Sequence, residues 1–148
     1  MRLVVDTNVL VGDLLRTSGR DRIADERLEL FIPEQQMEEA RVEIPRRVSG
    51  FARRHGLSVH GAHGLTESLL RAIAANVVVI DEAIYAGYEV EARARSTRDP
   101  DDWPLVACAL AIDGAVWTHD HDLFGTGVAT WTSATLQGWL DRNPGGTP

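Results

Sequence analysis

Apolar residues come along this chain in short runs, separated by stretches with the three-to-four spacing of helices. Leu3-Val4-Val5 ends on Asp6, and Val9-Leu10-Val11 with Leu14-Leu15 follows at helical intervals, which predicts strand, turn, helix. Thr17-Ser18-Gly19 and the charged stretch to Arg27 read as a connection or a short helix, and Leu28 to Ile32 alternates as a second strand closed by Pro33. As a first-turn residue Pro33 also suits the start of a helix. Residues 34–54 read as one or two helices, with Pro45 expected to break or kink the run at Ile44 because proline lacks the backbone donor and crowds the preceding turn.

Leu65, Leu69 and Ile73 form the stripe of a helix over 64–75, after which the β-branched run Val77 to Ile80 predicts a strand buried on both faces. Residues 81–96 are helical in composition although Gly87 weakens the middle, and 96–100 make a turn. Another helix is sharply bounded: Asp101 as its cap, Pro104 in its first turn, Asp113-Gly114 as its stop. Ala115 to Thr118 is a strand leading into His119-Asp120, and Val128 to Thr130 a short last strand. Thr132 or Ser133 caps a final helix through Trp139, and residues 143–148 are expected to be a flexible tail.

Strands alternating with helices predict an α/β sandwich with a mostly parallel sheet, as a single domain over residues 1–142. Such sheets bind ligands beyond the carboxyl ends of their strands. Asp6 and Asp120 follow two of the strands at that edge.

Composition narrows the class. A chain of 148 residues is the size of one domain, and 44% hydrophobic with 25% charged residues is globular composition. The one cysteine, Cys108, lies in an apolar run and has no partner to pair with, which fits a reducing compartment. An acid stands sixth in the chain and no apolar run nears the roughly 20 residues of a membrane span, so a cytoplasmic location without membrane attachment is expected.

Net charge is −7, which counts against a nucleic-acid binder. The acidity is local, however: residues 1–75 hold 11 acids and 11 arginines, and residues 76–148 hold 11 acids and 4 arginines. All 15 basic residues are arginine, and five of them, Arg41, Arg46, Arg47, Arg53 and Arg54, gather in one stretch. They are candidates for holding phosphates, although a solvated helix face of mixed charge has the same composition. Trp103 and Trp117 suit base stacking, but burial in the core is the favoured reading for both.

Asp6 after one strand, Asp120 after a neighbour, and Asp102 in the first turn of the helix between them bring three carboxylates toward one edge. Singly each has an ordinary explanation: Asp6 as a helix cap, Asp102 as a complement to a helix dipole, Asp120 and Asp122 as turn residues beside His119 and His121. Together they repel unless a cation neutralises them. An all-oxygen site selects hard ions such as Mg²⁺ or Mn²⁺, which also bind substrate phosphate.

Val4-Val5-Asp6-Thr7-Asn8-Val9-Leu10 resembles the opening motif of PIN domains, and the stretch from Arg98 through Asp102-Trp103-Pro104 to Thr118-His119-Asp120 and Phe124 resembles their later acidic motifs. The resemblance spans residues 3 to about 140. It implies a three-layer α/β/α sandwich and a metal-dependent ribonuclease of the kind that includes VapC-like toxins, with an RNA substrate, an antitoxin partner and a homodimer. The metal-binding acids carry over to Asp6, Asp102 and Asp120. A fourth belongs on the helix after the second strand, where Glu34, Glu38, Glu39 and Glu43 are available. Glu39 is favoured because it lies six residues after Pro33 and one turn from Gln35 and Glu43, while Glu38, expected to point elsewhere, is the alternative. Asn8 and Thr118 match polar positions that would orient the acids. Asp122 departs from the pattern, being followed by Leu123 before Phe124, and Asp99 and Asp101 compete with Asp102.

Three rival readings remain. Phosphoryl-transfer folds also place an aspartate after the first strand, but receivers need a lysine, which this chain lacks, and a dehalogenase wants an acid where Asn8 stands. Metal-free RNA cleavage by His119 and His121 is open to geometry, since residues two apart on an extended segment face one side. The third is a catalytically silent PIN-like module that binds RNA or protein.

Overall fold

The computed structural model describes residues 1–145; the part of the expected tail from 146 onward lies outside them. Five strands form one sheet: β1 (Arg2–Val5), β2 (Glu29–Pro33), β3 (Val77–Ile80), β4 (Ala115–Trp117) and β5 (Thr130–Trp131). Their order is β3-β2-β1-β4-β5 and every pairing is parallel, with Val4 opposite both Phe31 and Val116.

Alternation along the central strand builds the two cores. Leu3 and Val5 point to one side, where they meet α1 (Thr7–Leu14), α3 (Glu34–His55), α4 (Val59–Asn76) and α8 (Ser133–Arg142). The short helix α2 (Thr17–Ile23) adds Ile23 to that side. Val4 points to the other, into a core made with Tyr85 of α5 (Glu82–Tyr85), Ala92 of α6 (Glu89–Arg95) and the apolar α7 (Trp103–Ile112). The result is the expected three-layer α/β/α sandwich. Trp103 and Trp117 are both core residues.

Three details differ from expectation. Pro45 does not interrupt α3, which runs unbroken for 22 residues. Its ring is exposed, so water can serve the carbonyl it deprives, while the buried stripe Met37, Ala40, Ile44, Val48 and Ala52 holds the helix to the sheet across it. β3 is an edge strand, not an interior one: Val77 and Ile80 are buried, but Val78 is 55% and Val79 45% exposed. The last strand is shifted to Thr130–Trp131, because pairing with β4 sets Thr130 opposite Val116.

The chain leaves β1 for β2 on one side, and β4 takes the place on the other. The carboxyl ends of β1 and β4 therefore flank a point where strand order reverses, the usual crevice of an open parallel sheet.

Candidate metal centre

Asp6 leaves β1 and caps α1. Its backbone is extended, and Oδ1 accepts from the Asn8 N–H at 2.9 Å. Oδ2 accepts from the Thr118 hydroxyl at 2.7 Å. Thr118, fully buried one residue past β4, accepts in turn from the Asp120 N–H at 2.9 Å. One hydroxyl thus ties together acids from two neighbouring strands. Asp120 caps the 3₁₀ turn His121–Leu123 by accepting from the Asp122 N–H at 2.8 Å.

Asp102 stands where the 3₁₀ turn Pro100–Asp102 passes into α7. Asp99, and not Asp101, is the cap here, accepting from the Asp101 N–H at 3.0 Å. The Asp102 carboxylate makes no capping bond. It is half-buried, and its pKa is pushed up to about 6, first by burial and then by the negative charges of Asp99, Asp120, Asp6 and Asp122.

Helix α3 crosses the same edge. A cleft of about 770 Å³ is lined by Asp6, Asp102 and Asp120 from the sheet side and by Glu38, Glu39 and Glu43 from α3. A smaller hollow of about 340 Å³ adjoins it and shares Glu39 and Asp102. Glu38 also borders the cleft, contrary to expectation, but its carboxylate lies 3.4 Å from Arg41. Glu43 pairs with Arg46 at 2.9 Å and Arg47 at 3.8 Å. Among the described residues Glu39 has no arginine partner and alone of the three borders both hollows.

The two histidines have different partners. His119 meets the Ser133 hydroxyl at 3.0 Å, whereas His121 enters the 3₁₀ turn and stacks on Phe124. The Asp122 carboxylate lies 3.4 Å from Arg98, while its backbone N–H serves Asp120. Sequence reasoning missed three features: Arg47 donating to Asn8 Oδ1 at 2.6 Å, Gln36 in the wall of both hollows, and a network of Asp13, Arg22 and Ser133. The spacing of Gln36 three residues before Glu39 was the one available signal.

The model of the PIN domain family matches residues 4–141. The chain belongs to the PIN domain family. Solved structures with the same fold include PAE2754 from Pyrobaculum aerophilum, at 16% identity and TM-score 0.64, covering 96% of this chain and 90% of that one. VapBC2 from Rickettsia felis bound to a promoter DNA fragment matches at 15% identity and TM-score 0.61, covering 89% and 98%. A toxin–antitoxin complex from Klebsiella pneumoniae matches at 18% and 0.55, covering 83% and 91%. These likenesses are of fold. No curated protein sequence matches significantly.

PIN domains are generally nucleases and generally use divalent metal ions. In this PIN domain no group of three or more His, Cys, Asp or Glu side chains among the described residues is already assembled to hold an ion. The acids line an open cleft, as like charges do when nothing neutralises them. The donor set nevertheless fits a hard divalent cation. All the candidate ligands are carboxylate oxygens, Asp102 is uncommitted to any cap, and Gln36 Oε1 is a buried oxygen in the cleft wall without a partner. No helix among the described residues is long and apolar enough to cross a membrane.

Proposed function

We propose that this PIN domain is an Mg²⁺- or Mn²⁺-dependent endoribonuclease with Asp6, Glu39, Asp102 and Asp120 as its metal ligands. In this proposal it is the toxin of a toxin–antitoxin pair, a cytoplasmic homodimer restrained by an antitoxin encoded beside it. The observation that carries the catalytic part is the Asp102 carboxylate, uncapped and under repulsion from Asp6 and Asp120 across the reversal point of the sheet. The fold likeness to a structure named as a toxin–antitoxin complex supports the biological part.

Each residue has a physical task. Thr118 holds Asp6 and Asp120 in fixed relation, and each Asp6 oxygen keeps a lone pair free beside the donor it already has. Asp102, whose pKa is pushed up to about 6 in the metal-free protein by burial and the neighbouring acids, would be held as the carboxylate by a bound cation and could then orient water as a hydrogen-bond acceptor. Glu39 closes the cleft from α3. A divalent ion bound there supplies a polarised water and neutralises charge developing on the phosphate oxygens.

Metal-dependent cleavage of RNA is the test. Mg²⁺ or Mn²⁺ should support cleavage of total RNA, and chelation or Asp6→Asn should abolish it while the chain stays folded. Activity surviving chelation overturns the reading. The unassembled acids favour one second reading, the catalytically silent module that binds RNA or protein. An absence of any melting shift at millimolar metal decides for that module.

A further inference from the structure

A second concavity lies on the other side of Asn8 from the carboxylates. It is a groove of about 490 Å³ between the end of α1 and the middle of α3. Arg16, Arg46, Arg47 and Arg54 line it, and no acid does. In a chain of net charge −7 that is a local reversal of sign. Two of the four, Arg46 and Arg47, lie beside Glu43 of their own helix at 2.9 and 3.8 Å, as Arg93 lies beside Glu89 at 2.7 Å. Arg16 and Arg54 are exposed and have no acid partner among the described residues.

The floor of the groove is glycine. Gly12 lies inside α1 and Gly50 inside α3, although glycine is a poor helix former. A Cβ at Gly12 would meet nothing within 4 Å, and one at Gly50 only an Arg54 nitrogen at 3.8 Å. Packing within the fold requires glycine at neither position. The missing side chains give the groove depth and let an occupant approach the helix backbones.

Arg47 joins this groove to the carboxylate cleft. It lines the groove, and its guanidinium donates to Asn8, which lines the cleft. From Arg47 to Arg54 along α3 is about 10 Å at the helical rise. A continuous track therefore runs from acids suited to a metal-bound phosphate to cations suited to phosphates without a metal.

We propose that the arginine groove binds the phosphate backbone of single-stranded RNA beside the bond presented to the carboxylates. The inference rests on the ribonuclease reading above for the identity of the polymer. An acidic protein segment satisfies the arginines equally, but the neighbouring carboxylates repel it. A phosphodiester chain uses both halves of the track, one through metal and one through arginine.

The test measures binding of a short labelled single-stranded RNA of mixed sequence to the full chain in an Asp6→Asn background with Mg²⁺. Arg16→Ala with Arg54→Ala should weaken binding about tenfold and lower the slope of log affinity against log salt by about 1.4, the value for two phosphate contacts on a single strand. Gly50→Leu fills the groove without removing charge and should also weaken binding while the melting temperature holds. Affinity and salt slope equal to those of the background in both variants overturn the proposal. So does a double variant that keeps its RNA affinity but loses affinity for a protein encoded beside the gene, which assigns the groove to that protein. If the wild-type chain cleaves nothing yet binds RNA in an arginine-dependent way, the groove stands and the nuclease reading falls. Cleavage by the wild type with unaltered binding by the groove variants is the reverse.

Discussion

The Thr118 hydroxyl donates to Asp6 at 2.7 Å and, by accepting from the Asp120 backbone, sets the spacing between the first and last acids of the cleft. Thr118→Val keeps the volume and removes both bonds. Its expected effect is a loss of Mn²⁺ affinity of about 10- to 100-fold, the range for groups that orient ligands, with Thr118→Ser restoring most of it. Titration calorimetry reads the affinity directly. Wild-type affinity in the valine variant means that the hydroxyl serves only the fold.

Asp102 makes stability depend on pH in an unusual direction. Its folded pKa is about 6, against about 4 in an unfolded chain, so the folded protein holds the proton more tightly. That contribution is complete below the unfolded value and disappears as pH rises through 6. In chelator, Asp102→Asn should therefore gain on the wild type in melting temperature between pH 4 and 7. The gain is on the order of 1 kcal/mol once screening of a half-buried carboxylate is allowed for. With saturating Mn²⁺ the order inverts, because the ion competes with the proton and its stabilisation grows up to about pH 6. Parallel melting curves for the two proteins across that window sink the assignment.

In the core, Arg22 and Asp13 form a buried pair at 2.6 Å, with Arg22 also 5.8 Å from the Trp117 ring centre. Ser133 donates to Asp13 and accepts from the Trp117 indole, so α1, α2, β4 and α8 meet in one network. Arg22→Ala leaves a buried carboxylate without its cation and should cost about 3–5 kcal/mol in urea unfolding. Asp13→Leu combined with Arg22→Met should cost clearly less. Equal losses in the single and double variants mean that packing, not charge, holds the junction.

Legibility in the sequence followed the range of the interaction. Strand ends and helix caps are local, and the expectation that Asp6, Asp102 and Asp120 share one edge rests on their placement at strand and helix ends together with the PIN-like motifs around them; all three do line one cleft. A mostly parallel sheet followed from alternation of elements, but the place of β3 at its edge did not, since Val77 to Ile80 reads the same at an edge as in the middle. Register alone favoured Glu39 over its neighbours; that Glu38 and Glu43 lie beside arginines, and Glu39 does not, is a matter of three- and four-residue side-chain pairing that spacing leaves degenerate. Arg47 reaching Asn8 across 39 residues, and Ser133 reaching Asp13 across 120, carried no local signal at all.

Pro45 exposes the same boundary between local preference and packing. A proline inside a helix removes one hydrogen bond and strains the preceding turn, at about 3 kcal/mol relative to alanine. α3 bears that cost because five buried side chains on one face anchor it on both sides of the proline. Pro45 itself is exposed and does not line the cleft. Pro45→Ala should therefore stabilise the chain by about 1–3 kcal/mol, seen as a rise in urea midpoint with unchanged slope. Because α3 carries Glu39 in its first half and Arg54 near its end, the variant also asks whether Pro45 matters to function. A stabilised protein with wild-type cleavage means it does not. Stabilisation with weakened RNA binding means the proline sets the angle between the two halves of the track.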